Sequence, residues 1–155
     1  MSSVALIRCE SYEYGAVKRA VQRGIDLIGG AGSFAGAGEK ILLKVNLLVG
    51  DAPEKCVTTH PSVLRAVAEI LKAGGARLSY GDSPAMGTAR AASRKIGMDA
   101  AAAEAGIELK EFQPGREVHF AEGLQNKKFT IAEAVLECDG VISLPKLKAH
   151  GMQKF

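Results

Sequence analysis

Apolar residues recur along this chain with two different periods, and the alternation between them predicts the architecture. Val17, Ala20, Val21, Gly24, Ile25 and Ile28 fall on one face of a helical repeat that Gly29-Gly30 ends. Val63, Ala66, Val67, Ile70 and Leu71 form a second helical stripe. It opens at Pro61, a good first helical residue behind an N-cap His60, and stops at Gly74-Gly75. Around these stripes lie short runs with strand character: Val4–Arg8, Ile41–Val45, Arg77–Tyr80, Ile107–Leu109 and Val141–Pro145. Thr88 is suited to cap a helix to about Ile96, and Asp99 to cap an alanine-rich one ending at Gly106. Val118–Phe120 and Lys128-Phe129 read as a polar hairpin around Gly123. Thr130-Ile-Ala-Glu133 has the form of a capping box opening a helix to about Leu136. Strands alternating with helices predict an α/β fold: an open, mostly parallel, doubly wound, Rossmann-like sheet in three layers. No repeat or linker divides it, so residues 1–155 read as a single domain.

Composition narrows the function classes. The chain has 155 residues, 47% hydrophobic and 24% charged, enough for one domain with a core of ordinary soluble type. Its 20 basic and 17 acidic residues leave a formal charge of +3, too little to imply a nucleic-acid partner. No apolar run approaches the roughly 18–20 residues of a membrane span. Met1-Ser2-Ser3-Val4 also lacks the charged and apolar regions of a signal peptide. Cys9, Cys56 and Cys138 stand far apart, without zinc or iron–sulfur spacing, and three is an odd number for a disulfide framework. The expectation is a cytoplasmic protein with free thiols, no membrane or nucleic-acid partner, and no cofactor site evident in the chain.

The candidate chemistry sits where the predicted strands end. In a parallel sheet these ends share one rim, and open α/β sheets bind ligands there. Lys146 and Lys148 leave the last strand two residues apart, on one side of an extended segment, as two donors able to grip one anionic group. His60 and His150 are candidates for proton transfer or metal binding. Thr58 and Thr59 accompany His60 at a helix N-terminus, whose dipole favours anions. Asp82 and Ser83 follow the third strand of the five, with Asp82 a candidate acid, base or supporting carboxylate, and Asn46 ends the strand at Ile41–Val45. Each has a plainer reading beside the functional one: solvated lysines, a helix cap, a turn-capping aspartate, an asparagine tying two loops together. Two other motifs fall away. The glycine-rich stretch at 30–38 follows a helix and lacks the closing GK[ST] of a phosphate loop. Gly81-Asp82-Ser83 has the letters of a hydrolase nucleophile block but not the spacing of its triad partners.

The chain resembles the DUF362 family of uncharacterised prokaryotic proteins. The resemblance runs through Ile41-Leu-Leu-Lys-Val-Asn46, Thr58-Thr-His-Pro61, the helix at 63–73, Gly81-Asp-Ser-Pro84, Asp139-Gly-Val-Ile142 and Pro145-Lys-Leu-Lys-Ala-His150. Ala149 departs from the threonine more usual between that lysine and histidine, which removes a hydroxyl contact. The resemblance implies an N-terminal fragment of a longer protein. It also implies a ferredoxin-like partner domain or protein with two [4Fe-4S] clusters in many members. The lysine- and histidine-bearing strand end is similar, more distantly, to the lactate racemase group that uses a nickel pincer cofactor. Two functions follow as expectations. One is a domain binding an anionic small molecule or cofactor, with redox-linked or racemase-like chemistry in the full-length protein. The other is a non-catalytic electron-transfer or assembly module.

Overall fold

A four-stranded parallel sheet of order β3-β2-β1-β6 gathers most of the apolar runs. Its strands are β1 (Lys40–Lys44), β2 (Arg77–Gly81), β3 (Glu108–Leu109) and β6 (Gly140–Ser143) in a computed structural model that describes residues 3–150. The helices are α1 (Tyr14–Leu27), α2 (Pro61–Ala73), α3 (Ala89–Lys95), α4 (Met98–Ala105) and the single turn α5 (Glu133–Leu136). A separate antiparallel hairpin pairs β4 (Gly115–His119) with β5 (Lys128–Ala132). The architecture is α/β with an open, Rossmann-like parallel sheet, as the alternation of periods predicts.

The central strand explains itself. Ile41, Leu42 and Leu43 are consecutive and all buried, the signature of a parallel strand covered on both faces. Helix α2 turns Leu64, Val67, Ala68 and Leu71 into the core, and packs against α1 on one flank and α4 on the other. Register then sets the rim. Lys44 pairs with Gly81 on one side and Ser143 on the other, so the carboxyl ends of β1, β2 and β6 lie abreast. Gly81 is required there, because an added Cβ would fall 2.6 Å from both the Lys110 carbonyl oxygen and the Phe112 ring.

Three sequence expectations are corrected. Val4–Arg8 is no strand: it runs as an irregular segment, with Val4 and Leu6 exposed and Ile7 packed toward Gly24 of α1. Thr130 opens no helix. It lies inside β5 opposite Glu117, and α5 begins only at Glu133, with Ala132 as a cap that makes no side-chain hydrogen bond. The cap of α4 is Gly97 in the left-handed conformation, which places Asp99 in the first turn with its Oδ1 accepting from Ala100 N.

The helices are joined by an ionic cluster centred on Glu69 of α2. Its carboxylate accepts from Lys18 Nζ at 2.6 Å and Arg65 Nε at 2.9 Å, and from the Tyr14 hydroxyl. Arg65 also pairs with Glu104 of α4 and lies 3.9 Å from the Tyr14 ring centroid. The hydrogen bonds from Lys18, Tyr14 and Arg65, in that order, hold the Glu69 carboxyl at about 2. A carboxyl lowered by folding stabilises the fold fully above its unfolded value, and that contribution is lost as pH falls toward about 2. Glu69 is one-quarter exposed, so solvent screening reduces the effect to about 1–2 kcal/mol. Urea unfolding at pH 7 and pH 3 should show Glu69→Gln costing that amount at pH 7 and clearly less at pH 3. An equal loss at both would contradict the assignment.

Candidate functional site

Two connected groups of side chains occupy the rim. The inner group is centred on Asp82, which follows β2 and is buried. Its Oδ1 accepts from Lys44 Nζ at 2.6 Å, and its Oδ2 from Leu47 N at 2.8 Å. Both oxygens are therefore engaged, and the carboxylate fixes the turn that leaves β1. Thr59, also buried, accepts from Asn46 N at 2.8 Å and donates to the Leu144 carbonyl at 2.6 Å. That single hydroxyl ties the exits of β1 and β6 to the approach of α2. Asn46 turns its Oδ1 to Lys148 Nζ at 2.5 Å, and Lys148 also donates to the Val57 carbonyl at 2.6 Å. The loop between β1 and α2 is bent to make these contacts, with Leu48 at φ 54° and Cys56 at φ 55°. Both are left-handed conformations that non-glycine residues rarely adopt.

The outer group stands on His60, the N-cap of α2. Its Nδ1 accepts from Ser62 N at 3.2 Å and lies 2.7 Å from the Ser62 hydroxyl oxygen, so Ser62 engages this nitrogen twice. Burial first and Lys146 second push its pKa below the ordinary range, against a smaller opposing pull from Glu54. The Tyr12 ring stacks on His60 with centroids 4.1 Å apart and planes at 12°. Lys146 Nζ donates to the Tyr12 hydroxyl at 2.6 Å.

Electrostatics link the groups. Burial pushes the Lys148 pKa down, Asp82 draws it back up, and Lys146 and Lys44 lower it again. Two ammonium groups, of Lys146 and Lys44, thus act on that of Lys148 across the rim, and among the described residues a carboxylate contacts only Lys44 of the three.

The sequence-derived candidates are placed as follows. Asn46, Thr59, Asp82 and Lys148 belong to the inner group, and His60 and Lys146 to the outer. Thr58 is buried, and its Oγ1 has no hydrogen-bond partner among the described residues. Ser83 and His150 are exposed. Lys44 and Tyr12 are additions that sequence reasoning did not select as site residues. Lys44 had a visible signal in the Lys-Val-Asn ending of its strand, whereas Tyr12, 48 residues before His60, had none. Among the described residues, no group of three or more His, Cys, Asp or Glu side chains is arranged to hold a metal ion. No helix among them is long and apolar enough to cross a membrane.

Comparison with known proteins places this rim in a family. The chain is 34% identical over 150 residues to a thylakoid-associated protein of Synechocystis sp., across 97% of this chain and 46% of the relative. It therefore spans about half the length of the curated relative it matches. No solved structure matches. The model of the domain of unknown function DUF362 matches residues 41–155, a stretch holding every rim residue above except Tyr12, and the chain belongs to that family.

Proposed function

We propose that the strand-end rim binds an anionic small molecule. The observation that carries this reading is the pairing of its lysines. Lys146 and Lys148 are held by a tyrosine hydroxyl, an amide oxygen and a backbone carbonyl, all neutral. These contacts orient the ammonium groups without cancelling their charge, which leaves them as donors for an anion. The N-terminus of α2 adds a positive dipole end, and the buried Thr58 Oγ1 adds a hydroxyl whose hydrogen-bonding capacity is unmet among the described residues. Asp82 has both oxygens engaged and Ser62 engages His60 Nδ1, so neither is poised as a free base. Binding is therefore the function proposed, and redox-linked or racemase-like steps would belong to the whole protein.

Calorimetric titration with inorganic phosphate tests this. The Lys146→Met/Lys148→Met variant should bind at least tenfold more weakly while keeping the wild-type circular dichroism, since two charged hydrogen bonds are removed. Wild-type affinity should also fall as pH rises, beginning below the range of an ordinary lysine, because burial lowers the Lys148 pKa. Unchanged phosphate binding in the double variant, or none in the wild type, would sink the reading.

A further inference from the structure

We propose that the anion bound at the rim is the head of an amphiphile, whose apolar body lies in the trough between the N-terminal segment and α1. The proposal rests on the anion-binding reading above and deepens it. A cleft of about 530 Å3 opens beside the rim, lined by Ile7, Tyr12, Val17 and Val63 among others. It shares Ala5, Val21 and Gly24 with a second cavity of about 220 Å3, which reaches Phe34, Leu71, Ile142 and Leu144. The two adjoin at these shared residues and together make an apolar trough along α1 that reaches Ile142 of β6. Together they lie within the roughly 300–1,000 Å3 of small-molecule sites.

Tyr12 connects this trough to the lysines. Its side chain lines the cleft, its ring stacks on His60, and its hydroxyl accepts from Lys146. Among the described residues no lysine or arginine lines the trough itself, and the one carboxylate on its wall, Glu10, is paired with Arg8 at 2.6 Å. Charge is thus confined to one end and apolar surface to the rest. A small free anion would use only the lysines. An anion carrying an aliphatic or flat apolar body would use both, and each methylene buried would tighten binding by about two- to fourfold.

A carboxylate and a phosphate head share this chemistry, so the test uses both. Decanoate and decyl phosphate are titrated below their micelle concentrations, beside acetate and inorganic phosphate as heads without tails. At least one decyl compound should bind 100-fold or more tighter than its bare head. Two variants alter the trough and leave the lysines alone. Ala20→Trp fills the cleft from α1, and Ala5→Asp puts a charge where the two cavities meet. Both should reduce the decyl compound to the affinity of its head and leave inorganic phosphate binding unchanged. A wild type that binds phosphate but gains nothing from the decyl tail overturns the amphiphile proposal and spares the anion reading. Retention of the gain in both variants does the same. Tight decyl binding that survives Lys146→Met/Lys148→Met overturns the charged-head assignment and with it the anion reading.

Discussion

Replacing Asp82 by alanine is expected to lower the unfolding free energy by about 3 kcal/mol, and by asparagine about 2 kcal/mol. The carboxylate is buried and does two things at once, holding Lys44 Nζ and accepting from the amide of the fully buried Leu47. Alanine strands both partners. Asparagine can still accept from Leu47 N, but it withdraws the charge opposite the ammonium. Breaking a fully buried pair costs about 3–5 kcal/mol, and the values here sit at or below that range because Lys44 is 41% exposed and can recover water. Urea denaturation followed by circular dichroism measures the loss. The Lys44→Met/Asp82→Asn double variant should recover part of it, since a buried aspartate position is then no longer facing a stranded cation. Phosphate affinity should move the other way in Asp82→Asn and rise severalfold, because the carboxylate that pairs with Lys44 and draws on Lys148 has gone. Stability falling while anion affinity rises identifies a positioning residue. Losses under 0.5 kcal/mol in both single variants, a level ordinary for exposed sites, would refute the linchpin role.

Much of this rim is legible from the chain because its parts are local. The helical stripe from Val63, with Pro61 and His60 ahead of it, depends on neighbours within a few turns, and so α2 forms where the pattern says. The all-apolar Ile41-Leu42-Leu43 likewise reads as a strand buried on both faces. Two adjacent parallel strands then bring Asn46 and Asp82 to one edge with no further information. What escapes is whatever depends on a distant partner. Val4–Arg8 has strand-like residues, but a strand needs a ladder, and among the described residues this segment has none; its packing is against α1. Thr130-Ile-Ala-Glu133 satisfies a capping-box pattern while Phe129-Thr130-Ile131 satisfies a strand pattern, and the antiparallel partner Arg116-Glu117-Val118 decides for the strand. Tyr12 joins the site by stacking on a ring 48 positions away and binding a lysine 134 positions away, and no local periodicity reports such a contact.

Thr59→Val is expected to cost about 2–3 kcal/mol, although it changes the side chain's volume hardly at all. The hydroxyl of Thr59 is buried between Asn46 N and the Leu144 carbonyl, accepting from the first and donating to the second. Valine fills the same space, so no cavity forms, and the cost is that of leaving a backbone N–H and a backbone C=O unpaired in a region water barely reaches. Thr59→Ser keeps the hydroxyl and loses one methyl, so it should cost about 1 kcal/mol. The comparison matters because of what the two partners carry. Leu144 precedes Pro145 and Lys146 on the exit of β6, and Asn46 receives Lys148 on the exit of β1. The backbone already joins these segments, through Leu144 N donating to the Lys44 carbonyl at 2.8 Å and Thr59 N to the Asn46 carbonyl at 3.0 Å. The hydroxyl adds the side-chain tie between the two segments that aim the lysines. If so, Thr59→Val should weaken phosphate binding severalfold at temperatures where the variant is still folded, and Thr59→Ser should not. Valine and serine variants alike in both stability and phosphate affinity would show that the hydroxyl holds nothing. The split expected here would mean that the backbone bonds between the strand exits do not suffice, and that the anion-binding geometry depends on the buried hydroxyl that reinforces them.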